Sequence, residues 1–324
     1  MLENFTPNHW NWISITGKDV KDFLQRLSTI DLDQVAMGNG ATGCFLDSTG
    51  KIQSFFTLWH YLPGEYSFEF DGGKNNLWKQ KLIQHIDYFT FSEDILLTDP
   101  QPESHAPKLE CSWFFWDQKN EESKCPPPFD KIAPHKTYVI DDEIRISNHG
   151  EDAYGVSWFS AWARPARLMQ WKEVSLPKLQ TITLEQLEEK RIQQVFPKVG
   201  HEILDQQNPL ELGLMNTIQS KKGCYPGQEV IEKILSLGSP AKRLVQIQGK
   251  LTSKLEQNNI SQKKLYNLAT TPQVIGKITS FSSSDQSKFT ALALVNKIHA
   301  KQGLEVRFAS NNHGTITKVS CYEN

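Results

Sequence analysis

The apolar residues of this 324-residue chain change period several times, and that alternation restricts the fold more than any other feature. Thr16 and Asp19 form a capping-box pattern ahead of Val20, Phe23, Leu24 and Leu27, whose i, i+3, i+4, i+7 spacing predicts a helix. Phe45-Leu46 and Lys51-Ile52 flank the turn formers Asp47-Ser48-Thr49-Gly50, which reads as a β-hairpin. Tyr66, Phe68 and Phe70 alternate with Ser67 and Glu69, the pattern of a half-buried strand. Trp78, Leu82, Ile86 and Phe89 return to helical spacing, and Trp113-Phe114-Phe115-Trp116 reads as a buried strand. Val139-Ile140 and Ile144-Arg145-Ile146 flank Asp141-Asp142-Glu143 as another hairpin, and a helix is expected from Thr183, with Gln186 as capping partner, to about Phe196. After Lys242 a period of two takes over at Val245 and Ile247 and at Leu304, Val306 and Phe308. With short strands at 275–278 and 291–295, this predicts a small C-terminal β-barrel. Helices and hairpins mixed without a regular βαβ order indicate α+β. Prolines at 100, 102, 107, 126, 127, 128 and 134 mark a boundary or long connection inside the first part.

Composition removes several function classes. Lys+Arg is 35 against 37 Asp+Glu, so no direct nucleic-acid binding is evident from charge. No window approaches the ~18 consecutive apolar residues of a membrane span, and the first residues show no secretory pattern. Cys44, Cys111, Cys125, Cys224 and Cys321 are odd in number and widely spaced, which points to a reducing cytoplasm rather than a disulfide framework. Without C-x-x-C or H-E-x-x-H, no metal site is expected, and Cys111 and Cys125 read as buried small hydrophobes. Gly38-Asn39-Gly40-Ala41-Thr42-Gly43 spells G-x-G-x-x-G but follows a helix and leads into a hairpin. That inverts the context a dinucleotide site needs, so it reads as a loop.

Residues 222–229, Lys-Gly-Cys-Tyr-Pro-Gly-Gln-Glu, are chemically distinctive. Pro226-Gly227 fits the centre of a type II turn, and Val230, Ile234 and Leu237 recur at helical spacing, which places Gln228 and Glu229 in a first turn. A thiol at Cys224, ahead of that helix and beside Lys221 and Lys222, has its thiolate form favoured. The alternative is a tight turn with Cys224 packed as a small hydrophobe. Arg191 shares a helix face with Leu184, Leu187 and Val195 and needs an anionic partner, which is either a ligand or Glu188 three residues earlier.

Arg191-Ile192, Pro209-Leu210-Glu211-Leu212-Gly213-Leu214, the run 222–229 and Lys242-Arg243-Leu244 together resemble the YgfZ branch of the aminomethyltransferase (glycine cleavage T protein) superfamily. All seven fixed positions of that branch's K-G-C-Y-x-G-Q-E signature are present, and Gly17…Phe23-Leu24-Gln25 and Leu46-Asp47…Gly50-Lys51-Ile52 extend the likeness over nearly the whole chain. The resemblance implies a folate-binding aminomethyltransferase-like domain at 1–240, with α+β subdomains of about 1–100 and 101–240, and a C-terminal β-barrel at 241–324. It implies tetrahydrofolate as ligand, and as partners iron–sulfur enzymes or assembly proteins, among them radical enzymes that methylthiolate tRNA. Cys224 is then the critical thiol with Lys222 beside it, and Gly223, Pro226 and Gly227 build the turn. Arg191, Gln193, Tyr225, Gln228 and Glu229 are candidates for the ligand site.

Three departures set the chain apart from the family pattern, and the first two argue against glycine cleavage. Residues 70–76, Phe-Asp-Gly-Gly-Lys-Asn-Asn, lack the N-A…K-D stretch that supplies the family's catalytic aspartate. Gln193 stands where a glutamate holds the pterin, and an amide offers one acceptor plus an unwanted donor. Val195 stands where the family has glycine. The competing readings are a folate-dependent one-carbon transferase on another substrate, and a cysteine hydrolase, for which no histidine near the signature can serve as base.

Overall fold

The computed structural model of the protein describes residues 2–99, 108–117, 125–251, 263–285, 288–308 and 312–320, so Pro100, Pro102, Pro107 and Cys321 lie outside the described residues. In chain order the elements are β1 (Leu2–Phe5), β2 (Trp10–Thr16), α1 (Val20–Leu27), β3 (Gly40–Leu46), β4 (Ile52–Leu62), β5 (Glu65–Asp71), α2 (Leu77–Phe89), β6 (Leu96–Thr98), β7 (Glu110–Trp116), β8 (Thr137–Ile140), β9 (Ile144–Asn148), β10 (Ser157–Ala163), α3 (Pro165–Ser175) and β11 (Gln180–Thr181). There follow α4 (Leu184–Gln193), α5 (Gln228–Ser236), β12 (Lys242–Lys250), β13 (Lys264–Asn267), β14 (Val274–Asp285), β15 (Lys288–Asn296), β16 (Glu305–Phe308) and β17 (Asn312–Val319). Two compact units result: Met1–Leu46, Gln53–Leu184 and Thr217–Pro226 in the first, and Asp47–Ile52, Glu185–Asn216 and Gly227–Asn324 in the second. Residues 185–216 and 227–240 thus share a unit with the barrel.

The first unit holds two sheets, ordered β11-β1-β7-β10-β9-β8 and β3-β4-β5-β2-β6. α1 buries Val20, Phe23, Leu24 and Leu27, the stripe read from sequence. It packs with Leu82 and Ile86 of α2 on Ile13, Ile15, Phe68 and Phe70 of the second sheet. α3 covers the first sheet through Leu168 and Trp171 on Phe114, Phe159 and Ala161. The capping box expected at Thr16–Asp19 does not form. Asp19 makes no cap bond to α1, and its Oδ2 accepts from the Asp94 amide at 2.8 Å.

Because side chains alternate along a strand, each sheet turns a second set of residues away from its helices. Ser67 and Glu69 belong to that set and are fully buried, so β5 is covered on both faces rather than half-buried as its alternation suggests. Gly40, in the misleading G-x-G-x-x-G, opens β3. A Cβ there would lie 2.1 Å from the Trp59 ring, so the glycine serves close packing.

In the second unit, β12-β15-β14-β13-β16-β17 close into a barrel filled by Val245, Ile247, Leu265, Ile278, Phe289, Val306, Phe308 and Ile316. This is the C-terminal barrel that the period of two predicts. α4 ends at Gln193, short of Phe196, and Val195 then takes a left-handed φ of 58° where the family's glycine would sit without strain.

Candidate functional site

The signature is held by two buried feet. Lys222, 7% exposed, donates from Nζ to the carbonyls of Gln25 and, at 2.7 Å, Ser28, at the C-terminal end of α1. The clamp is reciprocal, because Gln25 Nε2 donates to the Lys222 carbonyl at 2.8 Å while Gln25 Oε1 accepts from the Leu32 amide at 2.6 Å. A cation at a helix C-terminus meets the negative end of the dipole and its unpaired carbonyls. Burial nonetheless pulls the Lys222 ammonium down to about 8, against the opposite pull of Asp31. The second foot is Tyr225, buried with its ring 5.1 Å from the Lys222 ammonium. Between the feet Gly223, at φ 100°, and the free thiol Cys224 are exposed. The ammonium of Lys222 therefore anchors the loop on α1 and is engaged by backbone, whereas the sequence suggested a partner for the thiol.

The signature's second half belongs to the other unit. Gly227 (φ 80°) caps α5, and a Cβ on it would lie 2.4 Å from the Asp47 carbonyl in the turn between β3 and β4. Only glycine permits that approach. The same turn is tied by Asn208, whose Nδ2 donates to the Gly50 carbonyl at 2.8 Å while its Oδ1 caps the 3-10 turn Pro209–Leu212. The family-like stretch 209–214 thus has a structural role. Gln228 bonds Glu232 at 2.7 Å along the helix, and Glu229 is exposed in the first turn. Of the expected stripe on α5, Leu237 is exposed, and the buried residue is Ile231.

Arg191 resolves differently from its candidate role at a ligand. It is 2% exposed, and its five N–H donors are all engaged. Nε and one Nη2 donor go to Glu188 (3.2 and 2.8 Å), Nη1 donates to the Phe196 carbonyl (2.6 Å) and Glu202 (3.0 Å), and Nη2 also reaches Ser280 Oγ (2.8 Å). Burial pushes Glu188 up, but Arg191 and Lys198 outweigh it and hold the carboxyl at about 2. The guanidinium is a fully paired cross-link joining α4, the 196–202 segment and β14, with no donor left for an anion. Gln193 is exposed, and its Nε2 reaches Glu189 at 3.5 Å.

Sequence reasoning passed over an aromatic and polar layer in the first unit. Glu69 is 0% exposed and accepts from Trp10 Nε1 (3.0 Å), Ser160 Oγ (2.7 Å) and Ser147 Oγ (3.3 Å), with His149 Nε2 at 3.4 Å. Burial pushes its carboxyl up, yet the bond and charge of His149, then Ser160 and Trp10, bring it below the usual range. His149 stacks on Trp158 with centroids 3.8 Å apart and meets Trp59 edge-on. The indole N–H groups of Trp59 and Trp162 are buried without an acceptor among the described residues. The available signal was Trp158, Ser160 and Trp162 alternating with Phe159, Ala161 and Ala163, a strand apolar on both faces. Cys44 is buried with its thiol pushed up to about 12, and Cys111 is pushed up likewise. Among the described residues no cluster of three or more His, Cys, Asp or Glu is placed to hold a metal ion, and no helix is long and apolar enough to cross a membrane.

No family model matches the chain. It is 25% identical over 245 residues to the tRNA-modifying protein YgfZ of Aliivibrio fischeri (strain MJ11), covering 72% of this chain and 67% of that protein. It is 34% identical over 118 residues to an aminomethyltransferase of Symbiobacterium thermophilum, covering 36% and 29%. Among solved structures, the glycine cleavage system aminomethyltransferase T from Bartonella henselae superposes with a TM-score of 0.78 at 14% identity, over 98% of this chain and 85% of that one.

Proposed function

We propose that this chain, a YgfZ-type protein of the aminomethyltransferase-like superfamily, acts as an accessory factor in tRNA modification, supporting iron–sulfur enzymes that methylthiolate tRNA through the exposed thiol of Cys224. One observation carries the reading. Lys222, Tyr225 and Gly227 are explained by anchoring or close packing, while Cys224 is presented outward between the two buried feet. A thiol retained only for packing would be buried, as Cys44 is. Lys222 in this reading is a positioning residue.

Transfer of a one-carbon unit by this chain itself is the weaker reading. The segment 70–76 lacks the stretch that supplies the aminomethyltransferases' aspartate, and its one acid, Asp71, caps a turn, its Oδ1 accepting from the Gly73 amide at 2.8 Å.

Folate is the ligand that the fold suggests. Arg191 has no free donor and Gln193 is exposed, so those two positions do not fit it. The aromatic layer fits better. Trp59 and Trp162 carry orphaned buried donors of the kind a pterin's ring nitrogens and carbonyl would satisfy. Bound tetrahydrofolate would supply a carrier for one-carbon groups.

In a strain lacking the wild-type protein, Cys224→Ala is expected to leave methylthiolated tRNA nucleosides depleted by mass spectrometry, and wild-type levels would overturn the reading. Tetrahydrofolate titrated into the protein is expected to quench tryptophan fluorescence, with weaker binding in Trp59→Phe and Trp162→Phe. No quenching and no heat would remove folate from the account.

A further inference from the structure

The overall charge of −2 conceals a segregation. Residues 241–324 carry 12 Lys and Arg against 4 Asp and Glu, a net of +8, whereas residues 1–240 carry 23 against 33, a net of −10. The barrel strands then arrange the basic residues. Directly paired residues of neighbouring strands project from the same face. Lys288 pairs with Lys250, Lys250 with His313, His313 with Arg307, and Arg307 with Tyr266. Lys264 lies two residues before Tyr266 on β13 and is opposite Lys277. The intervening Leu265, Val306 and Phe308 point into the core, so the belt faces outward, with Lys250, Lys264, Lys288 and His313 exposed and Tyr266 and Arg307 half-buried.

Like charges set opposite one another destabilise a sheet, and strands lie only ~4.8 Å apart. The directly opposite pairs, Lys250 with Lys288 and Lys264 with Lys277, therefore sit within one Debye length, ~8 Å at physiological ionic strength, and their fields add. Glu305, two residues before Arg307 on β16 and on the same face, is the only acid of the barrel segment whose side chain is described. Asp285 stands opposite Lys288 in the strand register. A track of basic residues that carries one phenol ring suits a phosphodiester backbone with an unpaired base stacked on the ring.

We infer that this face of the barrel is an RNA-contact surface, on which Lys250, Lys264 and Arg307 engage phosphates and Tyr266 stacks an unpaired base. The choice of RNA among polyanions rests on the tRNA-modification reading; the surface itself rests on charge and register.

The test is fluorescence anisotropy of an unmodified tRNA transcript with the full-length protein between about 50 and 200 mM salt. The wild type is expected to bind with a log–log salt slope of about −2.1 or steeper, 0.7 for each of the three phosphate contacts on an unpaired segment. Lys250→Ala/Lys264→Ala/Arg307→Ala is expected to lose at least about tenfold in affinity and most of that slope. Tyr266→Ala is expected to weaken binding about tenfold with the slope unchanged, and Tyr266→Phe to restore it. Lys18→Ala/Lys131→Ala/Lys178→Ala, an equal change of charge elsewhere, should bind as the wild type does. Circular dichroism confirms that each variant is folded. No binding by the wild type, an equal loss in the control triple, or tighter binding to anionic vesicles or to polyglutamate than to tRNA would overturn the inference. If Cys224→Ala kept full activity while the belt variants lost RNA, the reading of Cys224 would fall and the belt would stand.

Discussion

Each compact unit contains a buried cation in a family-like motif, and the two are compensated in different ways. Arg191 in the second unit faces two carboxylates, Glu188 and Glu202, and uses every donor it has. Lys222 in the first unit faces backbone carbonyls and an aromatic ring, with Asp31 acting on it through charge. A guanidinium saturated by acids stays charged and becomes a structural bolt. An ammonium held by neutral dipoles loses much of its hydration without a matching countercharge, and its pKa falls. The two cations thus differ in what their removal exposes. Taking away Arg191 strands buried carboxylates, while taking away Lys222 strands only carbonyls.

The largest expected effect follows from that difference. Arg191→Met should destabilise the protein by about 3–5 kcal/mol in urea titration, because Glu202 remains fully buried without its partner. The triple change Arg191→Met/Glu188→Gln/Glu202→Gln should recover much of the loss, and equal losses in the single and triple variants would break the comparison. Next comes acid. Glu188 titrates at about 2 in the folded chain against an ordinary 4.5, so the unfolded chain takes up the proton first as pH falls. The stability it contributes is complete above pH 4.5 and disappears as pH approaches 2. At about 1.4 kcal/mol per unit, discounted for partial exposure, the gap between wild type and Glu188→Gln should be about 2 kcal/mol at neutral pH and close by pH 2. A gap that persists into acid would show that the amide loses something other than charge.

Much of the fold could be read from local period, as α1, α2, the hairpins and the barrel show. What could not be read were the partners that arrive from distant segments. Ser67 and Glu69 are polar at alternating positions, which locally indicates solvent, yet they are covered on that face as well. Glu188 was visible as a partner for Arg191 because it lies one helical turn away, while Glu202 and Ser280 come from other segments. The anchoring of Lys222 on the end of α1 joins residues 197 and 194 positions apart. Total charge cancelled the basic barrel against the acidic remainder, and only strand register shows that the basic residues adjoin. At the candidate site the glycines and the cysteine were legible as types; that one is a packing requirement and the other exposed emerged from the fold.

The smallest effect sharpens the contrast in the opposite pH direction. Lys222 titrates at about 8 folded against 10.5 ordinarily, so between these values the unfolded chain holds the proton more tightly. Stability from this group is therefore fully present above pH 10.5 and lost as pH falls through 8, the reverse of an ammonium paired with a carboxylate. Deprotonation leaves two N–H donors, enough for the carbonyls of Gln25 and Ser28. At neutral pH, Lys222→Met removes both hydrogen bonds but also the cost of burying a charge, and the net loss should be about 1 kcal/mol. Measured against that variant, the wild type should gain stability as pH rises from 8 to 10.5. The loop should respond even where stability barely changes, since the clamp to Gln25 fixes Lys222, two residues before the thiol. Alkylation of Cys224 by iodoacetamide at fixed pH should change severalfold in rate in Lys222→Met and return towards wild type in Lys222→Arg, which can still donate to both carbonyls. If Lys222→Met lost as much stability as Arg191→Met, or left the alkylation rate untouched, Lys222 would be another bolt rather than the foot that sets the thiol.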